Sequence, residues 1–143
     1  MRRFWLYGAA YLACGMVFLA LDSLWLTVAG ERLYRAEIGA ILAPGPRLVP
    51  AAAFYLVYLA GVLAFCVAPG LARRSPLGAL VRGAGFGLVA YATYDLTNQA
   101  TLSTWSTKVT VLDLIWGTAA TALSAAAAVA VLRPWNPSAR EAA

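Results

Sequence analysis

The chain has 143 residues, of which 62% are hydrophobic and 12% charged, against about 25% charged in an ordinary soluble domain. With a mean hydropathy of +0.73, this composition excludes a water-soluble globular domain and fits an integral membrane protein. The net charge of +5 is not a nucleic-acid signature, because the basic residues sit at the ends of apolar runs with no basic stripe interleaved with aromatics. No histidine occurs, so the commonest metal ligand and general base is absent.

Met1-Arg2-Arg3 precedes an apolar run from Phe4 to about Ala29. The run is too long for the apolar core of a signal peptide, and it predicts a retained first span over 4–29. Gly8, Tyr11, Gly15, Phe18, Asp22 and Trp25 recur at helical spacing and predict its inward face. Cys14, like Cys66 further on, lies inside an apolar run and reads as a buried thiol. From Glu31 to Leu42, charged residues alternate with Leu33, Tyr34, Ile38, Ile41 and Leu42. This segment suits either a short helix in the headgroup region or a plain surface loop, and Pro44-Gly45-Pro46 ends it.

A second span is predicted over 48–71, with Pro50 in its first turn and Tyr55 and Tyr58 early in it. Arg73-Arg74-Ser75-Pro76 forms a basic turn. The third span, 77–101, passes Gly83-Ala84-Gly85-Phe86-Gly87, read as small residues for close helix packing. It then enters the densest polar stretch of the chain, Tyr91 to Leu102, where Tyr91, Tyr94, Asp95 and Asn98 share one helix face. The fourth span, 109–132, carries a small, partly polar stripe of Asp113, Trp116, Gly117, Ala120, Thr121, Ser124 and Ala128. Arg133-Pro134-Trp135 closes it, and a short tail follows. The expected fold is all-α, a four-helix transmembrane bundle forming one domain over 1–143.

Four spans put both termini on one side, together with Arg2, Arg3, Arg73, Arg74, Arg82, Arg133 and Arg140. Arg32, Arg35, Arg47 and Lys108 share the other side, so the arginine bias predicts cytoplasmic termini. Asp22, eighteen residues after Phe4, then lies about 27 Å along its helix. Asp95 is similarly far along the third span, and Asp113 is near the start of the fourth. The three carboxylates therefore share the outer level, with Tyr55 and Tyr58 alongside. A carboxylate at bilayer depth costs roughly 2.5–3.5 kcal/mol on the insertion scale, so this face points into protein. Clustered acids repel, and such a group can hold a proton or bind a cation or amine. The structural alternative is acids hydrogen-bonded to tyrosine and tryptophan within an aromatic belt.

Short echoes link the spans. Leu21-Asp22-Ser23-Leu24-Trp25 resembles Leu112-Asp113-Leu114-Ile115-Trp116, and Tyr55-x-x-Tyr58 resembles Tyr91-x-x-Tyr94. Two-helix duplication and chance both account for them.

Four motifs, Leu21-Asp22-x-x-Trp25-Leu26, Pro50-x-x-x-Phe54-Tyr55, Tyr94-Asp95-Leu96-Thr97-Asn98 and Asp113-x-x-Trp116-Gly117, carry a family likeness. The chain resembles small bacterial predicted membrane proteins of unknown function with four helices. The resemblance implies a multi-pass protein of the bacterial inner membrane and supplies no activity.

On the residues themselves, the leading reading is an outward-facing acidic-aromatic pocket for a small cationic, protonatable or amphiphilic ligand, with transport as one use. Its expected lining is Asp22, Trp25, Tyr55, Tyr58, Tyr91, Tyr94, Asp95, Asn98, Asp113 and Trp116. The alternatives are a lipid-modifying enzyme using aspartate acid–base chemistry and an accessory subunit whose polar face completes a partner. No cofactor and no metal are expected. The expected partners are the lipid bilayer, a small-molecule or lipid ligand, and a second copy or another membrane protein, with no nucleic acid.

Overall fold

A computed structural model describes residues 2–136. Arg140, counted above among the cytoplasmic arginines, lies outside the described residues, as does the tail from 137 onward. Four long helices account for most of the chain: Arg2–Ala29 (α1), Leu48–Ala72 (α2), Pro76–Thr101 (α3) and Thr107–Leu132 (α4). No strand occurs among the described residues.

The segment after α1 is neither a separate interfacial helix nor a loop at its start. It runs on from α1, first as a π-helical turn over Gly30–Arg35, then through Ala36–Ile38 and, after non-helical dihedrals at Ile38, a 3-10 turn over Gly39–Ile41. The apolar helix so formed, Phe4–Ile41, is 38 residues long. At 1.5 Å per residue that is about 57 Å, well beyond a hydrocarbon core of ~30 Å, so its far end stands outside the span. The turn between α2 and α3 is a Schellman motif. Ser75 N–H donates to the Gly70 carbonyl at 2.9 Å and Arg74 N–H to Leu71 at 3.0 Å, with Arg74 in the left-handed region at φ 52°. Ser75 then caps α3 by accepting from the Gly78 N–H at 2.9 Å.

Among the described residues, three helices are long and apolar enough to cross a membrane: Phe4–Ile41, Leu48–Ala72 and Thr107–Trp135. The α3 helix differs from the even run of four spans expected above. Arg82, Tyr91, Tyr94, Asp95 and the glycines between them dilute its hydropathy.

The most extensive pairing is between α3 and α4, with α1 laid against α4. Glycine makes the α3–α4 approach possible. A Cβ on Gly83 would stand 2.8 Å from the Thr121 carbonyl oxygen and 2.9 Å from Ala122 Cα, and one on Gly87 would stand 2.4 Å from the Gly117 carbonyl oxygen. Backbone therefore meets backbone, as small-residue pairs allow within a membrane. The stripe expected on α4 faces inward: Asp113, Gly117, Ala120, Thr121, Ser124 and Ala128 are buried and Trp116 is half-buried. On α1, Gly15, Phe18 and Asp22 are buried and Tyr11 and Trp25 half-buried, while Gly8 is exposed; in these first turns Leu6 and Ala10 are the residues that face the core. In α2 a π-helical turn, Leu63–Val67, packs against α1, α3 and α4 and buries Cys66. Cys14 and Cys66 are both buried free thiols.

Large apolar side chains such as Leu12, Met16, Val57, Phe65, Val89, Ile115 and Leu123 point outward, while Asp95, Thr121 and Ser124 are inside. This inversion of the soluble pattern suits a hydrocarbon surround.

Candidate functional site

The polar interior lies where α1 and α3 end and α2 and α4 begin. All three acids face protein there: Asp22 is 8% exposed, Asp95 0% and Asp113 5%. The register of α3 on α4 follows from Tyr91, whose ring lies over Gly117 so closely that a Cβ on the glycine would come within 2.2 Å of it. One turn onward in α3 is Asp95, and one turn back in the antiparallel α4 is Asp113. The two carboxylates lie within electrostatic reach of each other, as do Asp113 and Asp22.

Two of the acids are hydrogen-bonded and one is not. Tyr55 donates its phenol to Asp22 Oδ2, linking α2 to α1. Tyr34, on the π-helical turn, donates to Asp113 Oδ1 and accepts from Trp25 Nε1 at 2.8 Å. Trp25 in turn stacks on Trp116, with centroids 4.8 Å apart and planes 7° from parallel. The two Leu-Asp-x-x-Trp echoes are thus joined ring to ring, with a tyrosine on each aspartate. Asp95 has no hydrogen-bond partner on either carboxylate oxygen, and the buried Trp116 Nε1 has none either. Such groups usually cost about 1–3 kcal/mol each, and more when charged.

Further in, the Tyr58 and Thr121 hydroxyls are 2.6 Å apart, and the Tyr58 ring meets Tyr91 edge-on at 6.4 Å. The first half of α2 stands away from α3 here. Between them is a groove of about 320 Å³, lined by Phe54, Tyr58, Ala90, Tyr91 and Tyr94. Its lining carries phenols but no carboxylate. Tyr91 lines the groove, and its phenol lies within electrostatic reach of Asp22 and Asp113.

The extension of α1 lies over this end of the molecule. Glu37 accepts from Ser106 Oγ at 2.8 Å and from Lys108 Nζ at 3.0 Å. Lys108, and after it Ser106, hold the Glu37 carboxyl below its usual range. Beneath, Ala29, Leu33, Ile38 and Val109 form a small apolar cluster against Trp25, Tyr34 and Trp105.

Of the residues singled out in the sequence, Asp22, Trp25, Tyr55, Asp113 and Trp116 form the hydrogen-bonded and stacked cluster. Tyr58 and Tyr91 lie at its edge, and Asp95 is buried beside Asp113. Tyr94 is 59% exposed and packs on Trp105 at 5.6 Å, on the groove side. Asn98 is half-buried and stands outside the network. Sequence reasoning missed Tyr34, which it placed only on the apolar face of the connecting segment. The signal was available: the segment directly follows Asp22 and Trp25 and carries a phenol at the acid level. Among the described residues, no group of three or more acidic, cysteine or histidine side chains is placed to hold a metal ion.

An all-helical chain with apolar side chains outside and acids within is a membrane protein. More narrowly, it belongs to the predicted membrane protein family DUF2177, whose model matches residues 7–130. Neither a curated protein nor a solved structure matches the chain.

Proposed function

We propose that the chain is a four-span transmembrane bundle of the bacterial inner membrane, with both termini cytoplasmic, whose acid-aromatic cluster binds a small cationic, protonatable or amphiphilic ligand. The α3 helix serves as the remaining span. Its 26 residues reach about 39 Å at 1.5 Å per residue, Leu77, Val81, Leu88 and Val89 face outward, and Asp95 is turned from lipid. The arginine bias argues for the orientation.

The observation that carries the binding reading is Asp95, a fully buried carboxylate with two unpartnered oxygens next to a second acid. A purely structural acid would be expected to have found a donor, as Asp22 and Asp113 have. The cluster offers a cation what water would otherwise supply: carboxylate charge and the faces of aromatic rings.

The test is Asp95→Asn, which keeps the shape and removes the charge. Ligand retained from the membrane, read by native mass spectrometry per folded molecule, should disappear in this variant while expression and thermal unfolding hold at wild-type levels. Unchanged retention would return Asp95 to a structural role.

A further inference from the structure

We infer that the ligand is an amphiphile with a primary ammonium head and a single hydrocarbon chain, taken in sideways from the bilayer, its chain in the Phe54–Tyr58–Tyr91–Tyr94 groove and its head at Asp95. The inference rests on the binding reading above and narrows it to a substrate class.

Three observations converge on it. The first is the pair of orphan groups. Asp95 presents two oxygens that accept hydrogen bonds, and neither has a donor. A quaternary ammonium supplies charge but no N–H, whereas a primary ammonium supplies three donors. Trp116 Nε1 is a buried donor without an acceptor, close to Asp113 on the same helix face, so an oxygen adjoining the amine would find a partner. The second is the groove. At about 320 Å³, lined by Phe54, Tyr58, Ala90, Tyr91 and Tyr94, it is at the low end of the ligand-site range, about 300–1,000 Å³. It holds a hydrocarbon chain and no second charge. It lies between α2 and α3, where the first half of α2 packs only lightly on its neighbours, so its mouth faces the lipid side of these helices. The third is Tyr91, which lines the groove and lies within electrostatic reach of Asp22 and Asp113. Its ring rests on Gly117, which has no side chain of its own. A head entering along the groove thus meets the Tyr91 phenol on its way to the acids, with aromatic faces that favour a cation.

The experiment uses the full chain in phosphatidylcholine nanodiscs and three probes of equal chain length: dodecylamine, dodecyltrimethylammonium and dodecanol. Binding is read by tryptophan fluorescence, with empty nanodiscs subtracted. Dodecylamine is expected to bind at least about tenfold more tightly than the other two, because a site built to hydrogen-bond rejects analogues without the donor. This preference should vanish in Asp95→Asn. Dodecyltrimethylammonium binding as tightly as dodecylamine would overturn the primary-amine assignment and leave the cation-binding reading standing. Equal binding of all three, or a preference that survives Asp95→Asn, would overturn both. The groove has its own arm. Ala90→Trp fills it and should weaken dodecylamine about tenfold while sparing butylamine, and Ala90→Leu serves the same purpose if the larger side chain lowers the melting temperature. Undiminished dodecylamine binding in a folded Ala90 variant would remove the groove from the assignment.

Discussion

The α3–α4 seam changes character half-way along its length. From Gly83 to Gly87 it is backbone against backbone, with Thr121 and Gly117 opposite and no room for one methyl group. From Tyr91 to Asp95 it is ring and carboxylate against Gly117 and Asp113, with two buried oxygens unsatisfied. The first half is what holds two helices together where lipid offers no hydrophobic drive, since dispersion at close range does the work. The second half works against folding, because acids within reach of one another repel and one of them lacks donors. The close-packed half lets the other exist: a seam tight enough at Gly83 and Gly87 tolerates an unfavourable group two turns away. The holding half and the strained half are thus separated along a single helix pair, which can be tested by perturbing each part in turn.

The largest effect is expected at the glycines. In Gly87→Ala the new methyl meets a carbonyl oxygen and the Thr121 side chain, and backbone cannot rotate aside. Overpacking typically costs about 1–3 kcal/mol, and this variant belongs at the upper end. Its thermal midpoint in detergent should fall further than that of any acid variant, whereas Gly85→Ala, where a Cβ meets open space, should match wild type or rise slightly, because alanine is the better helix former. A gain in both variants, the sign that helix propensity alone predicts for Gly→Ala, would mean that contact at Gly87 does not set the seam.

Next is Tyr34→Phe, which leaves Asp113 without its phenol and Trp25 Nε1 without its acceptor. A hydrogen bond to a charged group is worth about 1.5–3 kcal/mol, so a loss of about 2 kcal/mol is expected, read by the same thermal unfolding. Asp95→Asn should cost nothing or stabilise, because it removes a charge that has no partner. Asp22→Asn and Asp113→Asn, which weaken made hydrogen bonds, should both lower the midpoint. If Asp95→Asn were the most damaging of the three, the division of the seam into a holding half and a strained half would be wrong.

Much of this arrangement is legible in the residues. Apolar composition and run lengths give an all-helical membrane protein, and helical spacing gives the inward stripe of α4 from Asp113 to Ala128. Depth along the helices gives the shared level of the acids. Partner choice is another matter. Which phenol meets which carboxylate depends on how far each helix is rotated, and a period of 3.6 residues fixes a face only to within about one residue. That Tyr34 rather than Tyr58 or Tyr91 reaches Asp113 follows from the π-helical turn over Gly30–Arg35, and nothing in the composition of that stretch distinguishes a π turn from an amphipathic helix. The low apolarity of α3 was hidden in a different way. Its glycines count as small packing residues at each position, yet together with Arg82 and Asp95 they lower the whole helix below its neighbours.

The smallest effect is expected outside the span, at Glu37, and it has a sign in pH. Its carboxyl is held below its usual range by Lys108 and then Ser106, so the folded state favours the charged form. A carboxyl whose folded value is lowered contributes stability that is present above the unfolded value, about 4.3 for glutamate. That stability is lost as pH falls through the lower folded value. The pair is on the surface, with Lys108 and Glu37 side chains 60% and 30% exposed, so salt screens it. Glu37→Gln should therefore lower the melting temperature slightly at pH 7 and by progressively less as the pH falls below about 4.3, and the difference at pH 7 should shrink in high salt. The Tyr34→Phe loss should survive that salt, since its hydrogen bond lies in the partly buried cluster. A Glu37 effect that persisted unchanged at pH 3 would show that the side chain acts there by packing and not by charge, and the extension of α1 would then be held down by its apolar cluster of Leu33, Ile38 and Val109 alone.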